Sequence, residues 1–155
     1  TFFKNLFVDI IFNGLGTINK LKFALLTKNL EEIISCLENL VLDTYDTDKR
    51  YENPYQTLLE GFLYGLEGTY LSIPNFESGD GRPDIILKPV VKNKPAYILE
   101  LKRLKDRTVE KEIEEALNQI KTNRYDALLK REGINDITNI ALVFDGKRVY
   151  HKIEK

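Results

Sequence analysis

The stretch Ala96-Tyr-Ile-Leu-Glu-Leu-Lys102 carries two opposite charges inside an apolar run that is typical of a β-strand. A strand this apolar is normally buried on both faces, where a charged side chain costs free energy unless it has a partner. Because side chains alternate in direction along a strand, Glu100 and Lys102 lie on one face. The pair therefore either has a chemical function or marks a solvated strand end, where Glu-x-Lys is a common pattern.

A second strand candidate adds a third charge to this face. It begins at Asp84 and is followed by a short polar segment, which predicts an antiparallel hairpin centred on Asn93. Such a hairpin pairs Asp84 with Lys102, and it pairs Ile86 with Glu100. The two carboxylates and the ammonium then share one face of the sheet, although a slip of one residue would separate them.

Two carboxylates and an ammonium on one face suit a hard divalent cation. Mg²⁺ prefers oxygen ligands and keeps waters that a substrate phosphate can replace. The carboxylates of Asp84 and Glu100 would hold the ion, while Lys102 would orient a water or stabilise charge on phosphorus. The chemistry that this arrangement predicts is hydrolysis of a phosphodiester bond.

Composition limits the other possibilities. The chain has 155 residues with 43% hydrophobic and 30% charged content, which is enough for one compact domain. One cysteine, Cys36, and one histidine, His151, exclude an internal disulfide and a closed zinc site. The absence of methionine indicates a piece of a longer chain. No membrane span or signal peptide is recognisable, so we expect a cytoplasmic protein with no membrane partner.

The charge is unevenly distributed. The net charge of -1 gives the whole molecule no general attraction for nucleic acid. Residues 1–74 hold 6 basic and 10 acidic side chains, whereas residues 75–105 hold 7 and 4. The basic side chains of the middle region could follow a phosphate path or simply be solvated; they include Lys88, Lys92, Lys94, Arg103 and Lys105.

Hydrophobic periodicity gives the order of the remaining elements. The first 45 residues are predicted to be helical, with a helix start at Asn29 capped through Glu32, and the polar segment 43–53 is the candidate boundary. The further predictions are a helix from Pro54 to about Gly65–Gly68 and strands over 69–73, 84–88 and 96–102. One long amphipathic helix follows, with a buried stripe that runs from Val109 to Leu128 and an end before Gly133. The chain closes with a hairpin of strands 139–144 and 148–153, with Asp145-Gly146 at the centre of a type I′ turn.

The loop before Asp84 makes the pattern more specific. Pro83-Asp84 together with Glu100-Leu-Lys102 resembles the signature of the PD-(D/E)XK nuclease superfamily, over about Glu52 to Val149. The phrase Asn75-Phe-Glu-Ser-Gly-Asp-Gly-Arg-Pro-Asp84 is similar to the nuclease-like domain that bacterial proteins carry behind an AAA-ATPase-like domain. The resemblance implies an α/β fold with a restriction-endonuclease-like core: helix, three-stranded meander, helix and strand around a mixed central sheet. Residues 46–155 would form this domain and residues 1–45 a helical N-terminal extension.

The resemblance also implies roles for individual residues. Asp84 and Glu100 would bind Mg²⁺ or Mn²⁺, and Lys102 would be the catalytic lysine. Related RecB-like nucleases add an acid from the first helix and a Gln and a Tyr from a later helix. By position these are Glu52, with Glu60 as its competitor, and then Gln119 and Tyr125.

This chain departs from that pattern in two places. Tyr125 follows Gln119 by six positions instead of four, so an uninterrupted helix would turn them to different faces. Tyr55-Gln56 also stands where a Tyr-His pair is common.

Substrate contacts and partners complete the set of expectations. Arg82 and Arg103, with Tyr125, are the candidates for contact with nucleic acid, most naturally DNA. Glu77 and Asp80 lie in the same Gly-rich loop as Arg82, where charged residues are also common for reasons of exposure alone. Two functions remain open: a metal-dependent nuclease acting on DNA or RNA, and a nuclease-like binding or regulatory module that is coupled to an upstream ATPase-like domain.

Overall fold

The computed structural model describes residues 16–47, 61–62, 65–75, 84–104, 107–122, 125–145 and 148–155, with side chains at all of these positions except 42–47, 75, 84, 122 and 125. The chain divides into two compact units, residues 1–67 and 68–155. The predicted domain division at residues 45/46 stays a prediction. Among the described residues, no helix combines the length and the apolarity that a membrane crossing requires.

The first unit contains two helices, α1 over 16–27 and α2 over Leu30–Thr47. Asn29 caps α2 as predicted, because its Oδ1 accepts a hydrogen bond from the backbone N–H of Glu32 at 3.2 Å. Helical backbone also occurs at 61–62 and 65. A Cβ atom on Gly65 would lie 2.2 Å from Cγ2 of Ile18, so this close approach requires glycine.

The second unit is a five-stranded mixed sheet with strands in sequence order. The first three strands form the predicted antiparallel meander, the fourth pairs parallel with the third, and the fifth returns antiparallel. The strands are β1 (Tyr70–Asn75), β2 (Asp84–Pro89), β3 (Ala96–Arg103), β4 (Ile137–Phe144) and β5 (Val149–Glu154); the helices between β3 and β4 are α3 (Val109–Thr122) and α4 (Tyr125–Arg131). The expected α/β class and element order are confirmed.

Helix α3 packs on one face of the sheet and sets where the site lies. Thr108 begins the helix, since its Oγ1 accepts a hydrogen bond from the N–H of Lys111 at 3.3 Å. An apolar stripe on the helix then meets alternate residues of the strands. The shared core contains Ile86, Ala96 and Ile98 from β2 and β3, Ala116, Leu117 and Ile120 from α3, and Ala141 from β4. The even-numbered face of β3 is therefore the face that α3 covers.

The single long helix predicted from Val109 through Leu128 is wrong, because two helices occupy this region. Leu128 was expected in the buried stripe, yet it is 55% exposed, and Leu129 is buried instead. The break changes the helical phase between the two segments. Helix α4 ends where Gly133 adopts a φ of 84°, with the N–H of Ile134 donating to the carbonyl of Leu129, a terminus that favours glycine.

The register of the β2–β3 hairpin differs from the prediction by two residues. Asp84 stands opposite Glu100, not opposite Lys102, and Ile86 stands opposite Ile98. The turn has Asn93 with a positive φ of 64°. Since the shift is an even number, the residues stay on their predicted face, and only the partner across the strand changes.

The turn between β4 and β5 is also displaced. Phe144 pairs with Val149, so the loop is centred between 146 and 147, one position later than predicted. Asp145 flanks this loop: its backbone N–H donates to the carbonyl of Arg148, and its Oδ1 accepts from the N–H of Arg148 at 2.8 Å. Asp145 has no positive φ, so the expected type I′ turn around Asp145-Gly146 is wrong.

Candidate active site

Strand β3 places Glu100 and Lys102 in the interior of the protein. Glu100 has a neighbour on each side, Asp84 of β2 and Ala141 of β4, and Lys102 pairs with Val143 of β4. Glu100 is 0% exposed and Lys102 is 1% exposed. The interpretation of Glu-x-Lys as a solvated strand end is therefore excluded.

Among the described residues, the carboxylate of Glu100 has no hydrogen-bond partner. Both Oε1 and Oε2 are inaccessible to solvent, and neither accepts a hydrogen bond from a described group. Burying a charged group without a partner is costly, and native proteins compensate such groups by ion pairing or by metal coordination. The donor type and the unmet demand of Glu100 therefore fit a hard divalent cation.

Lys102 makes its ion pair with the helix and not with Glu100. Its Nζ lies 3.3 Å from Oε1 of Glu115 on α3, and the other oxygen of Glu115 pairs with Nη1 of Arg107. The Lys102–Glu115 contact is an ion pair without hydrogen-bond geometry, because Nζ donates to no acceptor in the described part of the chain. Charge compensation of Lys102 therefore leaves the Glu100 oxygens and the ammonium N–H groups without a hydrogen bond to any described residue.

The partners expected for Glu100 fall partly outside the described residues. The backbone of Asp84 is directly opposite Glu100 across the β2–β3 ladder, while its side chain is not described. The other candidate site residues that lie wholly outside the described residues are Glu52, Glu60, Glu77, Asp80, Arg82 and Lys105. Within the side chains that are described, no group of three or more His, Cys, Asp or Glu residues could hold a metal ion.

Gln119 lies on α3 one helical turn after Glu115, and it is half-buried. The i, i+4 spacing puts Gln119 and Glu115 on the same stripe of the helix. Tyr125 is the first residue of α4, and its side chain is not described. Gln119 and Tyr125 belong to different helices. The expectation that one continuous helix turns them to different faces therefore does not apply. Arg103 ends β3 and is exposed.

Three residues near the site were not predicted from the sequence: Arg107, Glu112 and Glu115. Glu112 is 3% exposed and its Oε2 has no hydrogen-bond partner. Glu112 is four residues before Ala116 and so lies in the apolar stripe of the helix. An acid at such a position is the sequence feature from which its burial could have been predicted. Glu115 carries no such signal, since it is three residues from Glu112 on a helix densely populated by acids.

The basic residues of the middle region are only partly free to contact a substrate. Lys88 on β2 forms an ion pair with Glu132. Lys92 is exposed, and Lys94 is half-buried, both in the β2–β3 turn. Lys88 therefore has a structural partner, and the exposed Arg103 is a better candidate for contact with phosphate.

Comparison with known proteins identifies the family. A family model of the PD-(D/E)XK nuclease superfamily matches residues 50–154, which are 105 of the 155 residues. The chain belongs to this superfamily of nucleases. A search of the curated proteins found no match. The matched range contains all five strands and α3, so it includes the buried pair on β3 and its ion-paired helix.

Proposed function

We propose that this chain is a metal-dependent nuclease that hydrolyses phosphodiester bonds of DNA, or of RNA, with a metal-activated water. The single observation that carries the proposal is the state of Glu100: its carboxylate is buried and has no hydrogen-bond partner among the described residues, although a lysine stands two residues away on the same face. A cation that binds Glu100 would remove the cost of this burial.

In this proposal Asp84 and Glu100 hold the metal, Mg²⁺ or Mn²⁺, with Glu52 as a third acid. When bound, the ion supplies a Lewis acid for the phosphate and a water that is more easily deprotonated. The support for Asp84 is its position directly opposite Glu100 in the ladder. Carboxylate oxygens are the ligands that both ions prefer.

Lys102 supplies positive charge at the reacting phosphate in this proposal. Its ammonium has a counter-charge in Glu115 but retains N–H groups without acceptors, which is the condition for donating to a developing oxyanion or to a water. Gln119 positions the water or the phosphate from α3. Arg82, Arg103 and Tyr125 contact the nucleic acid backbone, Arg103 from its exposed position at the end of β3.

The test combines cleavage with metal binding. The purified chain is incubated with linear and circular DNA and with RNA, in Mg²⁺, Mn²⁺ or EDTA. We expect cleavage only with metal, and loss of cleavage in Asp84→Ala, Glu100→Ala and Lys102→Ala. Glu114→Gln is the control, because it removes an exposed acid from α3. If no nucleic acid is cut, or if the three variants cut like wild type, the catalytic proposal is wrong.

A second candidate function is a nuclease-like binding or regulatory module, inactive or weakly active, that is coupled to an upstream ATPase-like domain of the kind carried by bacterial relatives. Complete burial of Glu100 and Lys102 and the net charge of -1 favour it, since a substrate must reach both groups. Calorimetry with Mn²⁺ separates the two functions: a nuclease site binds the ion, whereas an inactive module has no need to do so.

The location that accompanies this proposal is the cytoplasm. The only cysteine, Cys36, is a free thiol buried in α2, and burial raises its pKa. A single protected thiol is compatible with a reducing compartment.

A further inference from the structure

Between β3 and α3 a row of three charged side chains runs from the interior to the surface. Lys102 is fully buried, Glu115 is about one third exposed, and Arg107 is largely exposed. The carboxylate of Glu115 uses one oxygen for each cation. We propose that Glu115 is a positioning residue: it holds the ammonium of Lys102 away from Glu100, so that Glu100 stays free to bind a divalent cation. This inference rests on the proposed function.

The need for such a residue follows from the strand geometry. Glu100 and Lys102 stand two apart on β3 and so project to the same side of the sheet. A lysine has a flexible stem of four carbons and a compact charge, so a buried ammonium turns to the nearest carboxylate. If that carboxylate were Glu100, the lysine would occupy the oxygens that the metal requires. The observed pairing with Glu115 prevents this competition.

Glu115 is well suited to hold Lys102 in one place. It lies in the middle of α3, whose register on the sheet is set by the buried Ala116 beside it and by the cap at Thr108. Arg107 takes the second carboxylate oxygen, which restricts the rotation of the Glu115 side chain. Glu112 is more deeply buried, but its Oε2 has no hydrogen-bond partner among the described residues, and the ion pair of Lys102 is with Glu115.

The acids on the described elements around Lys102 define the experiment. Glu100 stands on the same strand, Asp84 is opposite Glu100 on β2, and Glu112 and Glu115 come from α3. Its partner on β4, Val143, is apolar. Removing Glu115 frees Lys102 to pair with Glu100, which lies two residues away on its own strand, and in the proposed arrangement the metal then has to displace the ammonium.

The test is a double-mutant cycle read by calorimetric titration with Mn²⁺. The variants are Glu115→Gln, Lys102→Met and the combination of both, with Glu114→Gln as the matched control on the same helix. We expect Glu115→Gln to weaken Mn²⁺ binding by about 10-fold, within the range typical of residues that act on a metal site through another side chain. In the Lys102→Met background the same substitution should have no effect, because the competing ammonium is gone.

Other outcomes would overturn the inference. Equal weakening in both backgrounds would mean that Glu115 acts on the metal directly, and no weakening in either would mean that it does not act at all. If wild type binds no Mn²⁺, the proposed function fails, and NMR of ¹⁵N-labelled lysine then decides on the positioning alone. The ammonium signal assigned by its loss in Lys102→Arg should shift or broaden in Glu115→Gln and stay unchanged in Glu114→Gln; an unchanged signal in both variants would refute the role of Glu115.

Discussion

The effect of Glu100→Gln on the free energy of unfolding should depend on whether metal is present. The substitution should stabilise the metal-free protein, and metal should cancel or reverse this gain. The change keeps the shape of the side chain and removes its negative charge. In the metal-free protein both carboxylate oxygens are buried and have no hydrogen-bond partner among the described residues, so the wild type carries a cost that the variant avoids in part. Under the proposed function the same carboxylate becomes a ligand when metal binds, and the variant then loses the stabilisation that the ion provides.

The size of each effect can be worked from the burial. A buried polar group without a partner costs about 1–3 kcal/mol, and a charged one costs more. We therefore expect Glu100→Gln to raise the free energy of unfolding by about 1–3 kcal/mol in EDTA at neutral pH. Free ion at 100 times its dissociation constant stabilises the native protein by about 2.7 kcal/mol. Wild type should gain this amount and the variant should gain little of it.

The assay is urea unfolding, followed by circular dichroism, of wild type and Glu100→Gln in EDTA and in Mn²⁺. Glu114→Gln serves as the control because its carboxylate is exposed, so neither condition should separate it from wild type. The expected result is that Mn²⁺ largely cancels or reverses the stability advantage that the variant has in EDTA. A variant that is less stable than wild type in EDTA, or a wild type that Mn²⁺ does not stabilise, would refute the interpretation of Glu100 as a metal ligand.

Two further predictions concern the framework around the site. Tyr70 and Tyr97 are buried with ring centroids 6.2 Å apart, and burial raises the pKa of both phenols above the usual tyrosine value. The folded state therefore retains protons that the unfolded chain loses. The free energy of unfolding should fall above about pH 10 by up to about 1.4 kcal/mol per pH unit for each tyrosine. In urea unfolding, Tyr97→Phe should show about half of this alkaline loss, and a pH slope equal to that of wild type would contradict the prediction. Lys28 adopts a left-handed φ of 55° between α1 and α2, so Lys28→Gly should stabilise by about 0.5–1 kcal/mol. Lys20→Gly, in the exposed interior of α1, should destabilise by about 1 kcal/mol, and thermal unfolding of the pair tests this difference in sign.

The sequence predicted the structure best where a single hydrophobic periodicity dominates a segment. Alternation along β3 predicted the strand within one residue and placed Glu100 and Lys102 on one face. The register across the β2–β3 hairpin was less accessible, because it depends on which residues form the turn and not on the strands. The predicted register was wrong by two residues. A shift by an even number keeps each residue on the same face of the sheet, so Asp84, Glu100 and Lys102 still share a face.

The helical part of the site was harder to predict for a physical reason. A helix presents a new direction at every residue, so the division into α3 and α4 changes which residues are buried in the second segment. Leu128, which was expected in the buried stripe, is exposed, and Leu129 is buried. The acids of α3 raise a second difficulty. Four glutamates lie between 110 and 115, and their identities alone do not tell which one meets a buried lysine from a strand.

The connection between β3 and β4 explains why the two charges on β3 have different fates. A parallel pair requires a crossover, and here the crossover contains α3, which packs back on the even-numbered face of β3. The helix therefore brings an acid to Lys102 from above the sheet, whereas the residue opposite Glu100 within the sheet is Asp84, another acid. An acid opposite an acid is repulsive unless a cation lies between them. The topology thus supplies the counter-charge of Lys102 from α3, whereas no described side chain pairs with Glu100, and this difference supports the proposal that a bound ion does so.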